Sequence, residues 1–125
     1  TIDETVQDVF DDLIGDGRPL YVARDVPDFD RGRALLAEAC AVVGLAHPLR
    51  YDDPAAALGL VADLDAVEYA YPYDRDVDLA PVARAAERHD ALLTGGSDAH
   101  GETLGRAGLE AEAWRAVAAR LPPPD

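Results

Sequence analysis

The sequence contains no lysine, no methionine and a single cysteine. One cysteine excludes an internal disulfide, and the apolar, helix-like surroundings of Cys40 predict a small buried side chain. No apolar run approaches the roughly 18 residues that a membrane-spanning helix needs, and no signal peptide is visible. We therefore expect a cytoplasmic protein without a membrane partner. The lack of an initiating methionine predicts that Thr1 begins a piece of a longer protein.

Positive charge is scarce, and acidic residues dominate. The 125 residues include 25 acids against 11 cations, which gives a formal net charge of −14. Aspartate outnumbers glutamate 18 to 7, and every cation is arginine. This composition resembles that of haloarchaeal proteins, whose surface acids maintain solubility. It excludes nucleic-acid binding through a broad basic surface, so a nucleic acid fits only as a substrate held at a local site.

Helical and extended apolar segments alternate along the chain. Periodicity predicts helices over 2–14, 30–40, 53–64, 78–89 and 110–121, and apolar runs predict strands over 42–46, 66–71 and 91–94. In the second helix, Leu35, Leu36 and Ala39 are expected to face inward. This alternation is typical of a parallel α/β sheet with right-handed crossovers. We predict one domain over residues 1–121, followed by a proline-rich tail over 122–125.

Potential metal ligands follow two of the predicted strands. His47 comes directly after the first strand, and the glycine-rich turn that carries Asp98 and His100 follows the third. The carboxyl ends of parallel strands meet at one edge of a sheet, so these three side chains should converge there. Pro48 predicts extended backbone at His47. Imidazole and carboxylate donors suit Mn, Zn or Fe, with Mg as an alternative.

Other residues near these strand ends allow more than one interpretation. Glu68, inside the second strand, has three interpretations: a metal ligand, a hydrogen-bond partner of a ligand histidine, or a side chain facing solvent. Arg50 and Tyr51 contact a substrate phosphate or lie in an ordinary surface loop. Three alternating tyrosines, Tyr69, Tyr71 and Tyr73, are expected to pack along a strand face and its rim. Each candidate ligand also has a non-functional interpretation when it is considered alone. His47 could be a histidine hydrogen-bonded to backbone, Asp98 a turn residue, and His100 a solvated loop residue.

Two segments of the sequence, in this order, resemble the C-terminal half of the PHP domain, which defines the polymerase and histidinol phosphatase superfamily. They are Gly44-Leu45-Ala46-His47-Pro48 and Gly95-Gly96-Ser97-Asp98-Ala99-His100-Gly101. Residues 68–72 resemble the strand between them, and the likeness is to the TrpH/YciV-like branch. The resemblance implies parallel β/α units from a distorted seven-stranded (β/α) barrel. It also implies a divalent-metal site that hydrolyses phosphate esters such as nucleotides or oligonucleotides, with His47, Asp98 and His100 as metal-binding and catalytic residues.

The early His-x-His pair of that family has no counterpart in this sequence. The resemblance therefore implies the last three strands of the barrel, with the missing N-terminal half as a partner and a phosphorylated small molecule or nucleotide as substrate. The expected function is that of the C-terminal half of a metal-dependent phosphoesterase, with the isolated chain inactive. One alternative is a truncated remnant that at most binds a metal. Another is a barrel of the amidohydrolase kind that acts on C–N bonds.

Overall fold

A computed structural model describes residues 5–123, and its fold is mixed α/β. The helices are α1 (Val6–Val9), a π-helical turn (Phe10–Ile14), α2 (Phe29–Ala39), α3 (Pro54–Gly59), α4 (Ala80–His89) and α5 (Ala111–Ala118), with short 3-10 segments at Pro48–Arg50 and Leu60–Asp63. The strands are β1 (Gly44–Leu45), β2 (Ala66–Ala70) and β3 (Leu92–Gly95). In the part of the chain that the structure describes, no helix is long and apolar enough to cross a membrane.

The three strands form one sheet in the order β1-β2-β3, and both strand pairs are parallel. This pairing confirms the predicted parallel arrangement. Helical segments connect each strand to the next, as the alternating sequence pattern indicated. Gly44 lies opposite Ala66, and Val67 lies opposite Leu93. An irregularity between Glu68 and Ala70 shifts the register near the end of β2. All three strands therefore present their carboxyl ends at the same edge.

The core lies between the sheet and the helices that connect its strands. Its buried members come from β1, β2, the α3 region and α4: Leu45, Ala57, Leu58, Val61, Val67, Val82 and Ala86. Asp53 starts α3 as predicted, because its carboxylate accepts hydrogen bonds from the amides of Ala55 and Ala56 at 3.1 and 3.0 Å. Pro54 follows at the first helical position, where its missing N–H has no cost. The buried cluster thus packs the sheet against the helical segments that connect its strands.

The chain divides into two compact units after Gly32. In the first unit, a helix is present within the predicted range 2–14, although residues 2–4 lie outside the described part. Val6 and Phe10, two apolar residues at helical spacing in this segment, are exposed. In the second unit, Leu35 and Leu36 are also exposed.

The predictions of inward Leu35, Leu36 and Ala39 and of a buried Cys40 are wrong, since all four are exposed. The physical reason is that the buried cluster is built by the sheet, α3 and α4 and contains no residue of α2. Helical periodicity identified the apolar stripe of α2. It did not establish that another element covers the stripe.

Candidate functional site

The loop after β1 holds His47 in a left-handed backbone conformation, with φ 31° and ψ 60°. The extended backbone predicted from Pro48 is therefore wrong. Left-handed backbone is strained for a residue other than glycine, so the surroundings must compensate. The His47 amide donates a 2.7 Å hydrogen bond to Glu68 Oε2, and Pro48 is fully buried. Glu68 thus fixes the backbone that carries the histidine.

The His47 side chain is half-buried, and its imidazole lies near two aromatic rings. Its centroid lies 5.2 Å from the Tyr71 ring in an edge-on arrangement and 6.1 Å from the Tyr51 ring. Within residues 5–123, its buried Nδ1 atom has no hydrogen-bond partner. Buried polar atoms in folded proteins normally have a partner, and an exception indicates a ligand, an ion or water. This makes His47 a candidate ligand; Arg33 Nε is also buried without a partner, so the observation is not specific to this site.

The loop after β3 is more open. Asp98 lies three residues beyond the strand, also in left-handed backbone with φ 46°. Its carboxylate accepts a 2.8 Å hydrogen bond from the Tyr71 hydroxyl. His100 is exposed, and its Nδ1 lies 2.7 Å from the backbone oxygen of Asp98. Because a carbonyl oxygen only accepts, Nδ1 carries the proton and Nε2 remains available as a donor to a metal.

Left-handed backbone outside glycine occurs at four described residues: His47, Asp74, Asp90 and Asp98. Asp90 ends α4, and Asp74 forms an ion pair with Arg106. The other two are the candidate ligands at the ends of β1 and β3. Strained residues persist where the surrounding structure holds them, and they cluster at functional sites. The backbone thus marks the same two positions that the sequence pattern indicates.

Arg50 and Tyr51 lie at the same edge of the sheet. Arg50 Nη1 donates to the Tyr71 hydroxyl at 2.8 Å and is 3.8 Å from Asp98 Oδ2. Tyr51 is exposed beside the His47 ring. The guanidinium, with 57% of its side chain exposed, is accessible to an incoming anion. Arg50 therefore lies beside Asp98, whereas Tyr51 lies beside His47.

Tyr71 is the part of this site that the sequence did not reveal. Alternation of tyrosines predicted packing along a rim, yet the Tyr71 hydroxyl contacts both Arg50 and Asp98. Desolvation and the hydrogen bond to Asp98 raise the pKa of Tyr71 above its ordinary value, against the opposing effect of Arg50. The hydroxyl is consequently protonated at neutral pH and can donate to the carboxylate.

A polar cavity of about 380 Å³ opens beside this group of residues. Its lining consists of Arg50 and the segment that follows β2: Tyr71, Pro72, Tyr73, Asp74 and Arg75. Arg75 is held in place by a 2.8 Å hydrogen bond to the backbone oxygen of Leu49. The cavity is large enough for a phosphate with a small organic group attached and carries two guanidinium groups.

The donor chemistry at this edge suits a divalent metal, although the arrangement is incomplete. Imidazole and carboxylate groups come from His47, Asp98 and His100, and the Nδ1 atom of His47 has no hydrogen-bond partner among residues 5–123. Across residues 5–123, however, no three side chains of histidine, cysteine, aspartate or glutamate lie close enough together to hold a metal ion. The chain therefore supplies donors of the right kind without a closed ligand set.

No protein-family model matches this sequence, and no curated protein is significantly similar to it. The fold is similar to the crystal structure of a provisionally assigned metal-dependent phosphoesterase from Bifidobacterium adolescentis, with a TM-score of 0.73 and 28% sequence identity. The match covers 91% of this chain and 44% of that protein. This chain thus spans less than half the length of the protein that it resembles. The similarity relates its β/α units to a structure described as a metal-dependent phosphoesterase.

Proposed function

We propose that this chain contributes part of the active site of a metal-dependent phosphoesterase of the PHP type. Its substrate is a phosphorylated small molecule or a nucleotide, and its three strands are part of a distorted seven-stranded (β/α) barrel. Similarity to the Bifidobacterium structure supports the reaction class. The cytoplasmic location inferred from the sequence belongs to the same proposal.

One observation carries the proposal. His47 and Asp98 lie at the carboxyl ends of the two outer strands, both in strained left-handed backbone, and Tyr71 contacts both side chains. Active sites of parallel α/β proteins form at that edge of the sheet. Left-handed backbone also occurs at Asp74 and Asp90, and aspartate and histidine adopt it more readily than most residues. The conformation therefore supports the site only together with the position of both residues at the strand ends and their contacts with Tyr71.

In this proposal, His47, Asp98 and His100 would each contribute a donor to the metal, which would be Mn, Zn or Fe, with Mg as an alternative; within residues 5–123 they do not form a complete ligand set by themselves. A bound divalent metal supplies charge to neutralise phosphate oxygens and lowers the pKa of a bound water. Arg50 binds and orients the substrate phosphate, and Tyr51 covers one side of the His47 ring. Glu68 acts indirectly, because it holds the backbone amide of His47 in place.

A second candidate function is metal binding without hydrolysis. It is favoured by the lack of any three donor side chains close enough to hold a metal within the described range 5–123. A chain with this arrangement would bind one metal through one or two groups. It would not release phosphate by itself.

The two candidates are distinguished by measuring phosphate release and metal binding on the complete protein to which this chain is proposed to belong, because the isolated chain is expected to be inactive under either candidate. After treatment with a chelator, the protein is assayed with nucleoside monophosphates and small phosphate esters, with and without added Mn or Zn. Active protein should release phosphate only with added metal. Asp98→Asn should lower the rate by at least about 100-fold, which is at the upper end of what loss of metal-site groups costs.

Asp90→Asn is the matched control for this experiment. Asp90 is also an aspartate in left-handed backbone, but it ends α4, away from the carboxyl ends of the strands. Full activity in Asp98→Asn would contradict the site assignment. Manganese binding that depends on Asp98, without phosphate release, would favour the second candidate. Absence of both activity and metal binding would contradict both.

A further inference from the structure

The Tyr71 hydroxyl lies between two side chains of opposite charge. It accepts a hydrogen bond from Arg50 Nη1 and donates one to Asp98 Oδ2, and both distances are 2.8 Å. Arg50 Nη1 and Asp98 Oδ2 are themselves 3.8 Å apart. The arginine and the aspartate therefore form an ion pair at 3.8 Å, longer than a direct charged hydrogen bond, while the Tyr71 hydroxyl bonds to both.

This separation has a chemical consequence. An arginine and a carboxylate that meet directly form parallel hydrogen bonds of about 2.8 Å, and each group then satisfies the other. A carboxylate in such a pair binds an added cation less well, and its arginine is less available to an anion. Separation by a neutral hydroxyl keeps both charges available to ligands.

The position of the hydroxyl is fixed by the packing of its ring. The Tyr71 ring stands edge-on to the His47 imidazole at 5.2 Å and to the Tyr73 ring at 4.8 Å. Tyrosine side chains have only two rotatable bonds, so two ring contacts suffice to orient the hydroxyl group. A contact made by a fixed group acts as a spacer rather than as an adaptable hydrogen bond.

We propose that Tyr71 is a positioning residue whose hydroxyl separates Arg50 from Asp98, leaving the carboxylate available to a divalent cation and the guanidinium available to a phosphate group. The ligand roles of Asp98 and Arg50 rest on the proposed function. The spacing role of Tyr71 rests on the contacts alone.

Tyr71→Phe tests the role, because it removes the hydroxyl and keeps the ring that packs on His47. We expect the affinity for Mn²⁺ alone, measured by calorimetry after chelator treatment, to fall by about 10-fold, the lower end of the range for loss of a group that orients a ligand. Tyr69→Phe is the matched control: this tyrosine of β2 packs against the core, and no hydrogen bond of its hydroxyl is found among residues 5–123. Its affinity for Mn²⁺ should stay within about twofold of wild type.

The Arg50→Met background separates spacing from a general structural role. If Tyr71 acts by keeping Arg50 away from Asp98, the effect of Tyr71→Phe on Mn²⁺ affinity disappears once the arginine is gone. If the hydroxyl merely stabilises the loop, the same loss appears in both backgrounds, and the proposal is wrong. Comparison of the four proteins forms a double-mutant cycle, which measures this coupling directly.

A metal-free measurement makes the inference independent of the proposed function. In a crystal structure of Tyr71→Phe without metal, the distance from Arg50 to Asp98 should shorten from 3.8 Å to about 2.8 Å. An unchanged distance overturns the spacing role. A shortened distance in a protein that binds no Mn²⁺ in its wild-type form supports the spacing role and overturns the metal site.

Discussion

The two loops that carry the candidate ligands are constructed differently. In the loop after β1, Pro48 is fully buried, and the His47 amide is bonded to Glu68 on the adjacent strand. In the loop after β3, Asp98 and His100 are both exposed. The first loop is fixed by the core and by a neighbouring strand, whereas the second is held by exposed polar contacts, such as those of Asp98 with Tyr71 and of Arg106 with Asp74.

The difference indicates how a site on this sheet edge would operate. A histidine held by packing loses little conformational entropy when a ligand binds. The free energy of its contact with the ligand is therefore not offset by the cost of ordering the side chain. An exposed loop must be ordered by the ligand, which lowers the net contribution of its side chains. We therefore expect His47 to supply a preformed donor and His100 to supply an adaptable one.

The largest expected effect comes from comparing the two histidines as alanine variants. His47→Ala should lower metal-dependent phosphate release by at least about 100-fold, and His100→Ala by about 10-fold, because the half-buried imidazole is already oriented. The measurement is kcat/KM of the complete protein for a phosphate ester at saturating Mn²⁺. The same proteins should be compared by calorimetry for Mn²⁺ affinity.

His89→Ala is the control for this pair, since His89 is exposed at the end of α4 and should leave the rate unchanged. Equal losses for His47→Ala and His100→Ala would remove the distinction between the loops. A greater loss for His100→Ala would reverse it, and the half-buried histidine would then have only a structural role.

A second comparison concerns the point where the exposed loop leaves the sheet. A Cβ atom added at Gly95 would lie 2.5 Å from Ala70 Cβ and 2.8 Å from the Ala70 oxygen, so backbone must move. At Gly96, the next residue, an added Cβ meets nothing within 4 Å. Gly95→Ala should lower the free energy of unfolding by about 2 kcal/mol, as is typical of overpacking.

Urea unfolding of both glycine variants checks this prediction, with Gly96→Ala expected within about 0.5 kcal/mol of wild type. Similar losses of unfolding free energy in the two variants would contradict the role of close approach to Ala70. They would show that the loop requires the conformational freedom of both glycines. No loss in either variant would show that β2 and β3 separate easily at this edge.

The sequence was informative where local signals determine structure. Alternating segments predicted the parallel sheet, the Asp53-Pro54 pair predicted the start of α3, and strand ends predicted where His47 would lie. These features depend on residues within a few positions of each other. They therefore leave a readable pattern.

Features that depend on distant residues were not predictable. The left-handed backbone of His47 is compensated by Glu68, 21 residues away, against the local preference imposed by Pro48. The role of Tyr71 depends on Arg50 and Asp98, which are 21 and 27 residues away. Proximity of this kind arises only when the strands pair.

The smallest expected effect tests whether the exposed loop is held by its own hydrogen bonds. Ser97 Oγ accepts a 3.0 Å hydrogen bond from the Arg106 amide, which connects the start of the loop to its end. Ser97→Ala should cost about 1 kcal/mol locally, because an exposed amide regains water in place of the hydroxyl. Hydrogen exchange at the Arg106 amide should accelerate by about fivefold, the factor that corresponds to this energy.

Thr103→Ala is the control, because it removes an exposed hydroxyl from the same loop, one for which no hydrogen bond is found among residues 5–123. Exchange at Arg106 should not change in this variant. If both variants leave the exchange rate unaltered, the loop is held by the ion pair between Arg106 and Asp74 instead. In that case high salt should accelerate exchange, because exposed ion pairs are screened, whereas the Ser97 hydrogen bond is insensitive to salt.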